Sequence, residues 1–271
     1  MNAAVRGRPA QRYLIWTISL AALLAGCATT RQPEPSPPTN LPPLPRNIVS
    51  IPNAVPRFEP RAPHGNPAFY DVDGRRYYVL ASAEGYDATG VASWYGPTFD
   101  GLRTADGDRY DMYAMTAAHK TLPLPCYVRV TNLRNGRSIV VKINDRGPFV
   151  ANRLIDLSYV AAAKLDMLAT GTSLVEVQAI TTESPVITRV TESPPPTLYV
   201  QVGAFAVRSN AERVVARLQA AGFPGAFVFG PPVTRSPLYR VRIGPVSDVP
   251  EFDRLVARLT TLGFPARLVA P

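Results

Sequence analysis

Alternating apolar and polar positions dominate the middle of the chain and predict β-strands. Tyr127 to Asn132 alternates, and Ser138 to Asn144 alternates again after an Asn-Gly pair that favours a tight turn. The second strand therefore ends where Asp145 begins the next loop. With similar short patterns from Gly90 to Ile180, six or so strands and one or two helices fit in about ninety residues, which predicts a small closed barrel.

Two further local patterns belong to this region. The run from Ala68 to Leu80 places aromatic residues on both sides of Asp73-Gly74, which predicts a β-hairpin that packs on the barrel. Ser158 precedes an alanine-rich segment that extends to Leu168. We expect Ser158 to cap a short helix there.

The C-terminal part of the chain contains an internal repeat at an offset of about 41 residues. Val200-Gln201-Val202-Gly203 matches Val241-Arg242-Ile243-Gly244, and Gly222-Phe223-Pro224 matches Gly263-Phe264-Pro265. Each unit has the pattern strand, helix, strand, and a glycine ends each helix. Residues 198–271 are therefore predicted to form an α+β βαββαβ domain, an antiparallel sheet with two helices on one face.

Proline separates these modules. The 29 prolines are concentrated before residue 68 and again between residues 181 and 197, where they favour extended polyproline II and disfavour a packed core. We therefore predict two domains joined by proline-rich linkers, with the boundaries 1–26 leader, 27–67 stalk, 68–180 barrel, 181–197 linker and 198–271 second domain.

The N-terminus has the pattern of a secretory signal peptide. Three arginines precede an apolar run from Tyr13 to Leu24, which is short for a membrane span. The run ends in Leu24-Ala25-Gly26-Cys27, which resembles the lipobox of bacterial lipoproteins. That resemblance implies a lipid on Cys27, and Ala28 after it implies transfer to the outer membrane, with the protein facing the periplasm of a Gram-negative cell.

The amino-acid composition limits the kinds of ligand and partner that this protein is expected to bind. The net charge of +9 favours anionic partners, and the leader directs the chain to the cell envelope, so we expect no nucleic-acid partner. With two histidines and no metal-ligand spacing, neither a metal nor a cofactor is expected. If Cys27 is lipidated, Cys126 has no intramolecular disulfide partner and is expected to be buried.

The candidate chemistry is concentrated between Gly90 and Pro148. Asp108, Asp111, His119 and Asp145 lie there, in a chain with only 20 acidic residues. Purely structural roles are available for three of them: Asp145 can accept hydrogen bonds from the turn after it, Asp111 can cap a helix, and His119 can be a buried histidine. Trp94 and Tyr95 can equally well pack in the hydrophobic core or form an aromatic surface on which a sugar ring stacks.

The motifs of this region resemble the rare lipoprotein A (RlpA) family. They are Trp94-Tyr95-Gly96, Thr104-Ala105, Thr116-Ala117-Ala118-His119-Lys120-Thr121-Leu122-Pro123 and Asn144-Asp145-Arg146-Gly147-Pro148-Phe149. The resemblance implies a six-stranded double-psi β-barrel and lytic cleavage of peptidoglycan glycan strands. It also implies catalytic roles for Asp145, Asp108, Asp111 and His119, with Asp145 as acid and base. Where the family usually has glutamate, this chain has Asp108. The alternative function is a wall-binding or scaffolding lipoprotein that does not cut.

The C-terminal repeat resembles the SPOR domain, which binds glycan strands that lack stem peptides at division sites. Such strands keep lactyl carboxylates that arginines can pair with, while aromatic rings can stack on sugars. The predicted glycan contacts are Gln201, Phe205, Tyr239, Arg240 and Arg242. Because alternate strand residues face opposite sides, about half of these are expected to belong to the core.

Overall fold

The computed structural model describes residues 41–181, 196–230 and 238–270. The predicted leader, Cys27 and most of the 181–197 linker lie outside these residues. Within them, no helix combines the length and apolar character needed to cross a bilayer.

The predicted hairpin is present. It consists of β1 (Phe69–Val72) and β2 (Arg75–Tyr78), joined by Asp73 and Gly74, both with positive φ. The hairpin packs on the barrel as predicted. The Tyr70 hydroxyl donates to the Lys120 carbonyl at 2.7 Å, and the Leu80 N–H donates to the Thr121 carbonyl at 2.7 Å.

Six strands close into a barrel, which confirms the predicted fold of this region. They are β3 (Asp87–Trp94), β4 (Thr116–His119), β5 (Cys126–Asn132), β6 (Ser138–Asp145), β7 (Arg153–Leu157) and β8 (Ser173–Ala179). Their order around the barrel is β3-β7-β4-β6-β5-β8, with β3–β7 and β4–β6 parallel and the other pairs antiparallel. Ser158 caps α1 (Tyr159–Lys164), which ends earlier than the predicted Leu168.

The barrel interior is filled by the inward-facing positions of these strands. Val128, Val141, Ile143, Ile155 and Leu157 are all fully buried in one cluster. Each such side chain contributes about 1.5–3 kcal/mol through burial. The interior is therefore a packed core.

The segment predicted as a free stalk is instead packed on the barrel from Leu41 to Asn66, and we call these residues the strap. The Ala54 N–H donates to the Val140 carbonyl at 3.1 Å, and the Ala62 N–H donates to the Leu124 carbonyl at 2.9 Å. Ile48 and Ile51 pack against the barrel core. The prediction of a spacer up to residue 67 is therefore wrong for this part, because an extended chain leaves its backbone groups free to bond the barrel.

The C-terminal domain has the predicted βαββαβ order. Its elements are β9 (Leu198–Phe205), α2 (Arg208–Ala220), β10 (Ala226–Phe229), β11 (Tyr239–Val246), α3 (Val249–Thr261) and β12 (Arg267–Val269). The antiparallel sheet has the order β10-β11-β9-β12. Val200, Val202 and Ile243 pack with Leu218 and Leu259 of the helices in one core.

Asp253 of α3 connects this domain to the barrel. Its carboxylate accepts from the Arg153 guanidinium of β7 at 3.1 Å and from the Asn152 amide at 3.3 Å. The Arg153 side chain is almost fully buried in this ion pair.

Candidate active site and glycan-binding face

Asp145 is held at the end of β6 by two backbone groups. Its Oδ1 accepts from the Ala105 N–H at 2.8 Å and from the Arg146 N–H at 2.7 Å. Because both donors bond the same oxygen, a proton on this carboxyl resides on Oδ2. The turn contact with Arg146 expected for a structural role is therefore present, and it also fixes the orientation of the carboxyl group.

The environment of Asp145 favours its protonated form. Burial raises the pKa of the carboxyl above its usual range, and the nearby Asp106 carboxylate raises it further. The two N–H donors and the Arg146 charge act in the opposite direction, without cancelling the rise. Asp106 was not among the predicted site residues, although it directly follows the Thr104-Ala105 motif.

Asp108 lies in the same loop, with its carboxylate turned outward. The side chain is 56% exposed, and Oδ2 lies 3.3 Å from the Lys142 ammonium. Its backbone carbonyl accepts from the Thr104 N–H at 3.0 Å, which closes the loop. Lys142 also pairs with Glu59 of the strap at 3.3 Å, so one ammonium connects the strap to this loop.

Asp111 is exposed and caps a turn. Its Oδ1 accepts from the Tyr113 N–H at 2.8 Å, and its carbonyl accepts from the Ala114 N–H at 3.0 Å. No helix begins at Met112 in the described chain, so the capping contact expected of a helix is replaced by that of a turn.

His119 is buried between strand and loop. Nδ1 accepts from the N–H groups of Thr121 and Leu122 at 3.2 and 3.0 Å. The proton therefore resides on Nε2, which donates to the Tyr86 hydroxyl at 2.9 Å. Burial lowers the pKa of His119 to about 3, with help from Lys120 and Arg146. These contacts match the buried-histidine alternative.

Arg146 ties the Asp145 turn to its surroundings. Its guanidinium donates to the carbonyls of His119 at 3.0 Å, Leu122 at 2.5 Å and Gly65 of the strap at 2.9 Å. The His119 loop and the strap therefore both determine where the chain around Asp145 lies.

The two aromatic residues of the Trp-Tyr-Gly motif differ in their contacts. Trp94 packs against Tyr159 with ring centroids 5.7 Å apart and contacts the barrel core. Tyr95 packs against Tyr110 with ring centroids 4.3 Å apart and planes tilted by 45°, and its hydroxyl is buried. Burial raises the pKa of Tyr95 well above its usual value, and both Asp145 and Asp156 add to the rise.

Asp156 is the second residue that the sequence reasoning missed. It lies on β7, the Asp145 charge adds to the rise of its pKa, and its own charge adds to the rise of the Tyr95 pKa. The signal was present in the sequence, since a carboxyl group interrupts the apolar run Leu154-Ile155-Asp156-Leu157. Within the described residues, no group of three metal-binding side chains is found around this site or elsewhere.

The five predicted glycan contacts divide between the two faces of the C-terminal sheet. Phe205 and Tyr239 pair across β9 and β11 and pack against the core. Gln201 alternates with the buried Val200 and Val202, so it projects from the opposite, helix-free face. Its cross-strand partner is Arg242, and Arg240 lies two positions before Arg242.

Arg242 is the most unusual residue of this face. It is 5% exposed, and its Nε and Nη1 have no hydrogen-bond partner among the described residues. The guanidinium lies 4.0 Å from the Phe229 ring centroid and 5.9 Å from that of Tyr199. Burial lowers its pKa, and Arg240 adds to this effect. Free donors on a buried cation suit a carboxylate ligand.

Comparison with known families agrees with this architecture. The lytic transglycolase family matches residues 87–177, and the SPOR domain family matches residues 194–269. Together the two matches define the class of protein: a lytic transglycolase barrel followed by a SPOR domain.

Individual relatives are more specific. The endolytic peptidoglycan transglycosylase RlpA of Pseudomonas aeruginosa (strain UCBPP-PA14) is 39% identical over 263 residues, 76% of each chain. The Vibrio cholerae (serotype O1) protein of the same name is 44% identical over 173 residues, 64% of this chain and 65% of its own. The protein of the same name from Neisseria meningitidis serogroup B is 53% identical over 111 residues, which cover 41% of this chain and 46% of the relative. The chain belongs to the RlpA family, which confirms the resemblance.

Proposed function

We propose that this protein is a lytic transglycosylase that cleaves the bond between N-acetylmuramic acid and N-acetylglucosamine in peptidoglycan. Its preferred substrate is glycan without stem peptides, and its products end in 1,6-anhydro-N-acetylmuramic acid. The observation that carries the proposal is Asp145, a partly buried carboxyl with a raised pKa and one oxygen held by two N–H groups. The relatives' names support the same reaction.

Asp145 acts first as acid and then as base in this proposal. Its Oδ2 proton passes to the glycosidic oxygen as the bond from C1 breaks and N-acetylglucosamine leaves with a free hydroxyl. The C6 hydroxyl of the muramic acid ring then bonds to C1 and gives its proton to the Asp145 carboxylate. The protonated carboxyl is restored, and no water is consumed.

The other three predicted site residues support Asp145 in different ways. Asp108 and Asp111 are exposed on the loops beside it, where they can contact sugar hydroxyls. His119, with its pKa of about 3, stays neutral at the pH of the periplasm and acts as a positioning residue. It orders the chain whose carbonyls anchor Arg146.

The SPOR domain holds the substrate strand. In the proposal, Gln201, Arg240 and Arg242 form the glycan-binding face, and the unpaired donors of Arg242 pair with a lactyl carboxylate. Removal of the stem peptide is what exposes that carboxylate. This chemistry supports preference for denuded strands and enrichment at the division septum, where other division proteins are possible partners.

The lipid anchor is part of the same proposal. Thioether-linked and acyl chains on Cys27 would hold the protein at the inner face of the outer membrane, since each buried CH₂ contributes about 0.8 kcal/mol. Cys27→Ser should yield a soluble or unprocessed protein. A mature Cys27→Ser protein that still fractionates with the outer membrane would contradict the anchor.

The enzymatic proposal is tested by product analysis. Purified protein is incubated with denuded glycan strands and, in parallel, with peptide-rich sacculi. We expect 1,6-anhydro ends by mass spectrometry, in greater yield from the denuded strands. If no anhydro ends appear on a substrate that a known lytic enzyme digests, the protein is a binding scaffold. Reducing ends instead would identify a hydrolase.

A further inference from the structure

A row of paired residues crosses the outer wall of the barrel. Ser93 on β3 pairs with Asp156 on β7. Asp156 pairs in turn with Ala118 on β4, and Ala118 pairs with Asp145 on β6. Residues paired directly across strands project to the same face of a sheet. The two neighbours of Asp156 on β7 fill the barrel interior, so Asp156 projects outward.

Ala118 of β4 lies between Asp145 and Asp156 in this strand pairing, and β4 shifts register against β6 between Ala117 and Ala118. The Ala118 side chain is a single methyl group, which adds no charge between them. Two strand spacings place their Cα atoms about 10 Å apart. At this distance, and with little water between them, two negative charges affect each other's titration.

Asp156 is also incompletely bonded. Its Oδ1 is buried and, among the described residues, has no hydrogen-bond partner. Buried polar atoms in proteins are nearly always bonded, and each exception calls for an explanation, such as strain, a catalytic role or a bound water. Burial raises the pKa of Asp156 to about 6, and Asp145 contributes to the rise.

We propose that Asp156 is a positioning residue for the transglycosylation reaction, which acts through its charge to keep Asp145 in the proton-donating form. The inference rests on the proposed function, since it assigns Asp145 the role of acid. At neutral pH the Asp156 carboxylate opposes ionisation of Asp145 across Ala118. Below about pH 6, Asp156 takes up its own proton, and the effect disappears.

Other titratable groups face the pair, and one of them responds to Asp156: burial lowers the pKa of Lys120 to about 8, and the Asp156 charge opposes that fall. Lys120 and Arg153 act on Asp156, whereas Asp106 and Arg146 act on Asp145. The phenols of Tyr95 and Tyr110 also lie within the influence of the pair. Asp156→Asn keeps the shape and the capacity to bond Ser93, and it removes the Asp156 charge from this set.

The first measurement is a pH profile of kcat/KM on denuded glycan. In Asp156→Asn, we expect the alkaline limb to move down by about one pH unit, the shift that a unit charge at this distance produces. Activity should then be about tenfold below the parent at pH 7 and within about twofold of it at pH 5. Glu176→Gln is the matched control: it removes a partly buried carboxyl with a raised pKa on β8, outside the row, and should leave the profile unmoved.

A second measurement does not depend on activity. NMR titration of ¹³C-labelled aspartates should show the Asp145 midpoint lower in Asp156→Asn than in the parent. Unmoved Asp145 titration, or an equal loss of activity at pH 5 and pH 7, would overturn the proposal. If Asp156→Asn does not fold, the parent titration decides: two interacting steps support the pair, and independent curves refute it. A parent without lytic products refutes the proposed function but leaves this titration readable.

Discussion

The barrel buries an acidic side chain and the SPOR domain a basic one, and the two side chains are bonded differently. In the barrel, the Asp145 carboxyl is bonded in advance by two N–H groups on one oxygen. In the SPOR sheet, the Arg242 guanidinium keeps two nitrogens without a partner among the described residues. A proton donor must be oriented before the substrate arrives, whereas a binding cation can wait for the ligand to supply its partner.

Asp145→Asn should separate the two functions with the largest effect. The amide cannot donate and recover a proton, so lytic turnover should fall on the order of a thousandfold. Binding to denuded sacculi through the SPOR domain should be unchanged in a pull-down. Asp73→Asn in the hairpin is the control and should retain full activity. Lytic activity in Asp145→Asn close to that of the parent would remove Asp145 from the chemistry.

Arg242→Met should have the opposite effect to Asp145→Asn: glycan binding should weaken and cleavage should be retained. Loss of a charge-assisted bond should weaken binding to denuded glycan by about tenfold or more, while cleavage of short soluble strands by the barrel is retained. The melting temperature should not fall, because the variant removes an unpaired buried cation. Arg240→Met, a neighbouring and less buried arginine, should have a smaller effect. Undiminished binding in Arg242→Met would move the glycan site elsewhere.

His119 makes the barrel sensitive to acid in a calculable direction. Its folded pKa of about 3 lies below the ordinary 6.5, so its stabilising contribution is complete above pH 6.5 and is lost as pH falls toward 3. The pKa values of Asp145 and Asp156 are raised, so their contributions to stability depend on pH in the opposite direction. Both carboxyls are present in the parent and in a His119 variant, so a comparison of the two proteins isolates His119.

His119→Asn isolates this contribution, because the Asn oxygen can still accept from the two N–H groups. The drop in melting temperature between pH 7 and pH 5 should be smaller in the variant by on the order of 5 °C. An identical pH dependence in the two proteins would mean that His119 takes up a proton in the folded barrel as readily as in the unfolded chain.

Asp108→Glu should have the smallest effect. The family usually has glutamate at this position, and the Asp108 carboxylate is exposed in a weak pair with Lys142. Lengthening it therefore costs little, and lytic activity should be no lower than in the parent and at most about threefold higher. A large loss in Asp108→Glu would show that the shorter side chain is required.

Much of the fold could be predicted because the deciding signals are local. Alternation and an Asn-Gly turn fix β6, so the placement of Asp145 at its end followed from the sequence. The repeat at the C-terminus fixed the SPOR domain in the same way. Ser158 capped its helix as expected, since a cap needs only the residues that follow it.

What the sequence could not show are contacts between distant segments. The partner of His119 is Tyr86, and its Nδ1 bonds depend on the path of the next loop. Asp156 and Asp145 become neighbours only through β4. Proline composition predicts the local conformation of the strap, but its docking depends on barrel carbonyls such as that of Val140.

The docked strap also limits how far the barrel would lie from a membrane that holds the proposed lipid anchor. Since the chain is packed on the barrel from Leu41 onward, only residues 28–40 separate the folded body from the proposed lipid on Cys27. A segment of this length spans at most about 45 Å, against about 140 Å for a chain free to residue 67. A barrel anchored through Cys27 as proposed would reach only the layer of wall nearest the outer membrane, and glycan deeper in the wall would lie too far away to be cleaved.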